Sequence, residues 1–582
     1  MSQPTSHASS PVTAPTSSAA EHTHLGHVSG RTRGPWWSER RRLALLLGIF
    51  VLLLFIELPG TWLAEPDEAR YAEIPREMLA SGDYLTPRLD GAHYFEKPPL
   101  LYWANAASMR LLGENAFAAR LPTRLAAIGT AAILMVELSG PALPTWGLWA
   151  ALIFLSAPLS FVLGRYNITD GVLTFGLTLA FFALRRFLLE RDAGRSAMGA
   201  LALLGLGTGL AMLAKGLIGI AFPGLVCLLW VGLLGKWRRV RELLLSPAPV
   251  VFVLVTAPWF VLMERANPGF SRFFFIHEHF ARFATSEAGR GGPIYYFVLA
   301  FIVGFLPWTV LFGHSLGALR TWRRPHLAEH RDELFFALWF FTILVFFSLS
   351  HSKLLPYILP AMPAAAALLG RAIAGAHAMR VRTPLVVHAL LVTLVVVGGV
   401  GYGLRSGSLA HYDVTGLAML GGALLLVGAW IAVRMAPRAG RSALMAAAAG
   451  WGGFYLALIL ALPQVSGDLS GHGIARIAQR AHAEQVVSYK WYPQILPWVL
   501  KAPIPVADYT GELGSDGERP PAIFWSGVEF WQRWASPEHL VVVVRRRNAA
   551  EFTQPGRPPV RTLGENHRYI VLSNFTPPPV AP

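Results

Sequence analysis

Of 582 residues, 54% are hydrophobic and only 14% charged, where a soluble domain carries about a quarter charged residues. Apolar runs of roughly 18–25 residues, long enough to cross the hydrocarbon core, recur along most of the chain, and the mean hydropathy is +0.45. The formal net charge of +16 does not indicate nucleic acid, because the basic residues cluster in short segments between apolar runs, where they orient a membrane protein.

In chain order, residues 1–35 are rich in Ser, Thr, Pro and His and read as a disordered cytoplasmic tail. His7, His22, His24 and His27 could bind metal, but a floppy polar tail explains them as well. Arg31, Arg33, Arg40, Arg41 and Arg42 then precede an apolar run over 43–64. A signal peptide has a shorter apolar core and a small-residue cleavage site, so this run reads as an uncleaved first helix. About thirteen spans are expected in all. They start near Leu43, Ala118, Trp146, Gly171, Ala197, Gly216, Pro247, Pro293, Leu334, Ile358, Leu385, Gly416 and Ser442. The run over 197–234 has no polar loop and is too long for one ordinary span, which predicts two helices and a tight turn at Lys215. Cys227, the one cysteine, lies inside this run, so no intrachain disulfide is possible.

Alternate loops carry the basic residues: Arg185, Arg186, Arg191 and Arg195; Lys236, Arg238, Arg239 and Arg241; Arg320, Arg323, Arg324 and Arg331; Arg380 and Arg382; Arg434, Arg438 and Arg441. All share a side with the basic N-terminus, and the positive-inside rule makes that side the cytoplasm. An odd span count then puts the C-terminus outside, in the periplasm, along with the long loop over 65–117. From about Gln464 the sequence becomes mixed and soluble in character. Short β-rich runs (484–489, 522–525, 540–545 and 569–572) predict a small α/β domain over 464–582 behind a transmembrane domain over 36–463. Its Trp491, Trp498, Trp525, Trp531 and Trp534 are candidates for stacking on sugars, with core or membrane-surface packing the plainer alternative.

The first outer loop is the most informative segment. Asp67 and Glu68 follow the first span at the membrane surface, and the stretch over 68–79 alternates charged with apolar residues at helical spacing, as an interfacial helix does. A surface helix with solvated charges is the bland reading. The segments Asp-Glu-Ala-Arg-Tyr-Ala-Glu-Ile (67–74), Arg-Glu-Met-Leu-Ala-Ser-Gly-Asp (76–83) and Phe-Glu-Lys-Pro-Pro (95–99) resemble the first-loop signature of bacterial lipid-phosphate-dependent glycosyltransferases. These are relatives of the protein O-mannosyltransferases with the GT-C fold, and the resemblance is nearest to the 4-amino-4-deoxy-L-arabinose transferases that modify lipid A.

That resemblance implies an inverting enzyme that takes its sugar from undecaprenyl phosphate. It also implies lipid A as acceptor and Asp67 and Asp170 as the catalytic pair. Lys97, Lys215, Arg282 and Tyr357 are expected at the carrier phosphate, with Arg70, Tyr71 and Tyr94 also against substrate. On the residues alone, Asp170 could simply end a helix, Lys215 could snorkel, and Tyr357 could belong to an interfacial aromatic belt. Glu96 with His277 could hold a divalent ion such as zinc, which imidazole and carboxylate suit. Within the enzyme class the runner-up is polyprenyl-phosphate-dependent transfer of another sugar to a protein or a different glycan. A transporter is the rival class, but the informative charges gather in one outer loop and no paired halves are visible.

Overall fold

A computed structural model describes residues 36–281, 291–316, 327–375, 381–511, 513–514 and 520–577. The tail over 1–35 and Arg282 lie outside the described residues. Hydrocarbon leaves backbone N–H and C=O groups no partner but each other, so the apolar runs become helices. The first nine helices are α1 (Trp36–Phe55), α2 (Asp67–Ser81), α3 (Leu100–Leu112), α4 (Ala116–Leu138), α5 (Trp146–Ser156), α6 (Pro158–Gly164), α7 (Thr169–Asp192), α8 (Met198–Lys215) and α9 (Ile218–Leu234).

Among the described residues, nine helices are long and apolar enough to cross a membrane, or ten if a bent pair is one span. That pair is α5 and α6, which meet at 72°. Pro158 forces Ala157 into extended backbone (φ −67°, ψ 131°) and the helix restarts in a new direction. Three other expected runs are helical but fall short of a simple span. Glu39, Arg40, Arg41 and Arg42 occupy the start of α1, α9 has 17 residues, and Pro307 interrupts the run that yields Tyr296–Gly304 and Thr309–Leu316. The exact count of thirteen is therefore not confirmed by helix length and composition among the described residues.

The two ends of the bundle differ in chemistry. At one end Asp192 meets Lys236 and, at 3.2 Å, Arg239, while Glu242 meets Arg191 at 3.1 Å and Arg239 at 2.8 Å. Arg185 reaches Asp332 there at 3.0 Å. Among the described residues the basic segments around Arg185 to Arg191, Lys236 to Arg239 and Arg331 therefore converge. At the opposite end α8 stops at Lys215, where Gly216 (φ +85°) turns the chain into α9 as the sequence requires. Helices α7 and α8 pack almost backbone to backbone: a Cβ on Gly207 would come within 2.6 Å of the Ala180 nitrogen, and one on Gly176 within 2.9 Å of the Ala211 nitrogen. Small residues at such crossings are what allow membrane helices to approach closely.

The first loop carries a short hairpin of β1 (Arg88–Leu89) and β2 (Ala92–His93). The C-terminal region is a six-stranded sheet ordered β5–β4–β3–β6–β8–β7, made of β3 (Gln485–Tyr489), β4 (Val506–Ala507), β5 (Phe524–Trp525), β6 (Leu540–Arg545), β7 (Arg561–Glu565) and β8 (Tyr569–Ser573). Strand β6 runs parallel to β3 and antiparallel to β8, and its Leu-Val-Val-Val-Val run is buried, as a central strand demands. Trp525 and Trp534 pack with Phe530 in the core under this sheet, with Trp531 against them. The α/β domain read from the sequence is present, with β4 and β7 as additional strands.

This domain seats directly on the first loop. The Ile504 N–H donates to Asp90 at 2.7 Å, and the Ile495 N–H and Tyr569 hydroxyl donate to Glu65 at 3.0 and 3.1 Å. The His472 ring stacks on Trp62 at 3.5 Å. As a result α2 is not a surface helix with solvated charges: Glu68, Arg70, Glu73, Arg76 and Glu77 are all buried. Burial pushes the Asp90 and Glu77 carboxyls above their ordinary range.

Candidate functional site

Two adjacent acids open α2, and their surroundings assign them different tasks. Glu68 is anchored, accepting from Arg120 Nε at 2.8 Å and Arg120 Nη2 at 2.7 Å, from the Ala64 N–H at 2.9 Å and from the Asn167 N–H at 2.9 Å. Arg120 continues to Glu57 at 2.5 Å, and Glu57 also takes Arg124. This network fixes the start of α2 against α4 and the loop before α7. Asp67, one residue earlier, is half-buried, and its carboxylate takes part in no hydrogen bond or ion pair among the described residues. Its carboxylate is held in place by a neighbour that is fully engaged, and is itself available.

The segment Asn167-Ile-Thr-Asp170 supplies the second acid. Asn105 ties it to the first loop, donating through Nδ2 to the Tyr71 carbonyl at 2.9 Å and to Asn167 Oδ1 at 3.0 Å. Asp170 follows in the first turn of α7 and is buried. Lys215, at the end of α8, places Nζ 2.5 Å from Asp170 Oδ1 and 4.4 Å from the centre of the Tyr357 ring. Three residues expected at the site thus form one cluster, which the close packing of α7 on α8 makes possible. Lys215 does not snorkel, because an ion pair and an aromatic face remove the cost of its charge. Tyr357 packs on Phe347 with ring centres 5.1 Å apart.

A third group lies in the first loop. Arg70 Nη1 donates to the Tyr94 hydroxyl at 3.1 Å, and that hydroxyl donates to Glu96 Oε2 at 3.2 Å. Lys97 Nζ lies 3.8 Å from the same carboxylate oxygen. Arg70 is buried, yet its Nε has no hydrogen-bond partner. Burial pushes the Tyr71 and Tyr94 phenols well above their usual range, so both keep their protons at neutral pH.

For the expected pair of Glu96 with His277, the structure supplies no third metal ligand among the described residues. Among the described residues no group of three or more His, Cys, Asp and Glu side chains could hold a metal ion. Tyr94 and Lys97 engage Glu96, whereas His277 is exposed and stacks on Phe273 at 5.2 Å.

A cavity of about 760 Å³ opens above this third group, with Arg70, Tyr94 and Glu96 on one side and Trp491, Arg545 and Tyr569 of the C-terminal sheet on the other. Of its arginines, Arg70 is expected from the sequence but Arg545, Arg546, Arg547 and Arg568 are not, since only the pairing of β6 with β8 brings those four together. Of the five tryptophans considered for sugar stacking, Trp491 lines this cavity, whereas Trp498, Trp525 and Trp534 are buried in packing and Trp531 lies against the same core.

Comparison with known proteins bears on the same residues. The sequence profile of the dolichyl-phosphate-mannose-protein mannosyltransferase family matches residues 42–274. An undecaprenyl phosphate-alpha-4-amino-4-deoxy-L-arabinose arabinosyl transferase from Pectobacterium carotovorum is 35% identical over 404 residues, 67% of this chain and 70% of the relative. Its counterpart in Serratia proteamaculans is 37% identical over 335 residues, a stretch that covers 56% of this chain and 58% of that relative. In structure, the chain is similar to the crystal structure of ArnT from Cupriavidus metallidurans bound to undecaprenyl phosphate. The TM-score is 0.80 at 26% identity, covering 93% of this chain and 99% of that one.

Proposed function

The chain belongs to the family of undecaprenyl phosphate-alpha-4-amino-4-deoxy-L-arabinose arabinosyl transferases, and from that membership we propose that it moves 4-amino-4-deoxy-L-arabinose from undecaprenyl phosphate to a phosphate of lipid A. The reaction takes place at the periplasmic face of the bacterial inner membrane, with the arginine-rich bundle end in the cytoplasm. The convergence of the basic loops at that end supports this orientation.

The observation that carries the reading is the pairing of an unengaged acid with prearranged cations: Asp67 at the head of α2, with Lys97 and Arg70 in the same loop and Lys215 fixed by Asp170. Cleaving a sugar–phosphate bond leaves charge on the departing phosphate, and cations already in place stabilise it best where water is scarce. An oxygen of the acceptor phosphate attacks the anomeric carbon. The bond from that carbon to the carrier's phosphate oxygen breaks, its electron pair leaves on undecaprenyl phosphate, and the anomeric centre inverts. The acceptor oxygen is already anionic, so no general base is required. Asp67 and Asp170 instead hold the sugar ammonium and orient the reactants, while Lys97, Lys215, Arg70 and the Tyr357 hydroxyl receive the carrier phosphate. Tyr71 and Tyr94 line the approach as neutral phenols.

The test is a mass spectrum of lipid A from cells with and without this chain. A pentosamine increment that depends on the chain is expected, and its absence from cells that make the donor would refute the assignment.

A further inference from the structure

The cavity between the first loop and the C-terminal sheet is more than a gap between domains. Its lining holds five arginines (Arg70, Arg545, Arg546, Arg547 and Arg568) against two glutamates, Glu65 and Glu96. The sheet register brings the outer four together. Arg545 stands opposite Tyr569 across β6 and β8, and the Arg546 N–H donates to the Arg568 carbonyl at 3.0 Å. Arg546 is spoken for by Glu565 at 3.0 Å, but neither Arg547 nor Arg568 forms an ion pair among the described residues. Arg545 lies flat on Trp491, its guanidinium carbon 3.2 Å from the ring centre, which fixes the plane of its donors. On the opposite side the unpartnered Nε belongs to Arg70, a residue only 8% exposed.

A concave surface with this excess of positive charge and planar, forked donors suits a phosphate group. The cavity meets the first-loop cluster at Arg70, Tyr94 and Glu96, so an anion held by the sheet presents its oxygens to the proposed reaction centre. We infer that Arg545, Arg547 and Arg568 form the recognition site for the phosphorylated head group of the acceptor, making the C-terminal domain the acceptor-selecting part of the enzyme. This inference rests on the reading given under Proposed function. Two phosphates compete for the assignment, that of the carrier and that of lipid A, and they can be separated.

The experiment uses the full chain in nanodiscs, with the double variant Arg547→Gln/Arg568→Gln and, separately, Arg545→Gln and Arg545→Lys. Both residues of the double variant are exposed, so the fold should tolerate the change. KM for purified lipid A should rise roughly tenfold or more, the loss expected for a charge-assisted contact. Affinity for undecaprenyl phosphate should stay at the wild-type value. Arg545→Lys, which keeps charge but loses the stacked fork, should fall between wild type and Arg545→Gln. Unchanged KM for lipid A in the double variant overturns the inference, as does weakened undecaprenyl phosphate binding with KM unaltered, which would give the cavity to the carrier. Failure of the wild-type chain to transfer any pentosamine is a different result and refutes the underlying reading instead.

Discussion

Both ends of the bundle hold charges but use them differently. At the arginine-rich end the carboxylates each face several cations: Asp192 gathers Lys236, Arg239 and, at 3.8 Å, Arg331, and Glu242 gathers Arg191, Arg238 and Arg239. At the other end Glu68 is saturated, but Asp67 beside it is unengaged and the Nε of Arg70 is buried without a partner. Charges that satisfy one another build the scaffold, and charges left over are available to substrate.

The largest effect that would break this comparison is removal of the anchor. Arg120→Ala leaves Glu68 buried without its cation and Glu57 with Arg124 alone, and losing one partner of a buried pair costs about 3–5 kcal/mol. We expect a large fall in thermal stability, read by intrinsic fluorescence in detergent, with activity lost along with the fold. A variant that melts like wild type would show that the network does not hold α2.

A smaller effect concerns the seat of the C-terminal domain. Burial pushes the Glu65 carboxyl from 4.5 up to about 7, against the hydrogen bonds from Ile495 and Tyr569 that favour its ionised form. The folded chain therefore keeps a proton that the unfolded chain releases at lower pH. This contribution is fully present below about pH 4.5 and is lost as pH rises through 7. Glu65→Gln should flatten the dependence, so that its melting temperature falls less than that of wild type between mildly acidic and mildly alkaline buffer. Parallel slopes would show that Glu65 titrates normally.

The smallest effect belongs to the arginine-rich end. Arg191 is 38% exposed and shares Glu242 with other arginines. Arg191→Gln should cost less than about 1 kcal/mol, leaving transfer unchanged in a kinetic assay. A large loss of turnover would erase the distinction between the two ends.

Much of this architecture is legible in the sequence because lipid enforces it. Apolar runs, the arginine bias and the turn at Lys215 follow from local pattern, and so do the strands β3 and β6. What pattern cannot supply is the partner chosen at long range. Asp67 and Glu68 look alike until Arg120, 52 residues beyond Glu68, selects one of them. Lys215 reads as a phosphate ligand or a snorkelling side chain, and only the approach of α7 to α8 reveals Asp170, 45 residues away, as its partner. Hydropathy likewise registers Pro158 and Pro307 without showing how far each bends its helix. The arginines after β6 become a site only when β8 brings Arg568 beside them.

Asp67 offers the most direct measurement. In reconstituted full-length chain, Asp67→Asn should bind undecaprenyl phosphate and melt as wild type does, while turnover with lipid A falls by at least roughly a hundredfold, the scale expected when one prearranged electrostatic contact is removed. Near-normal turnover by the purified variant would contradict the account, since the acid that the scaffold leaves unengaged would then have no part in the reaction.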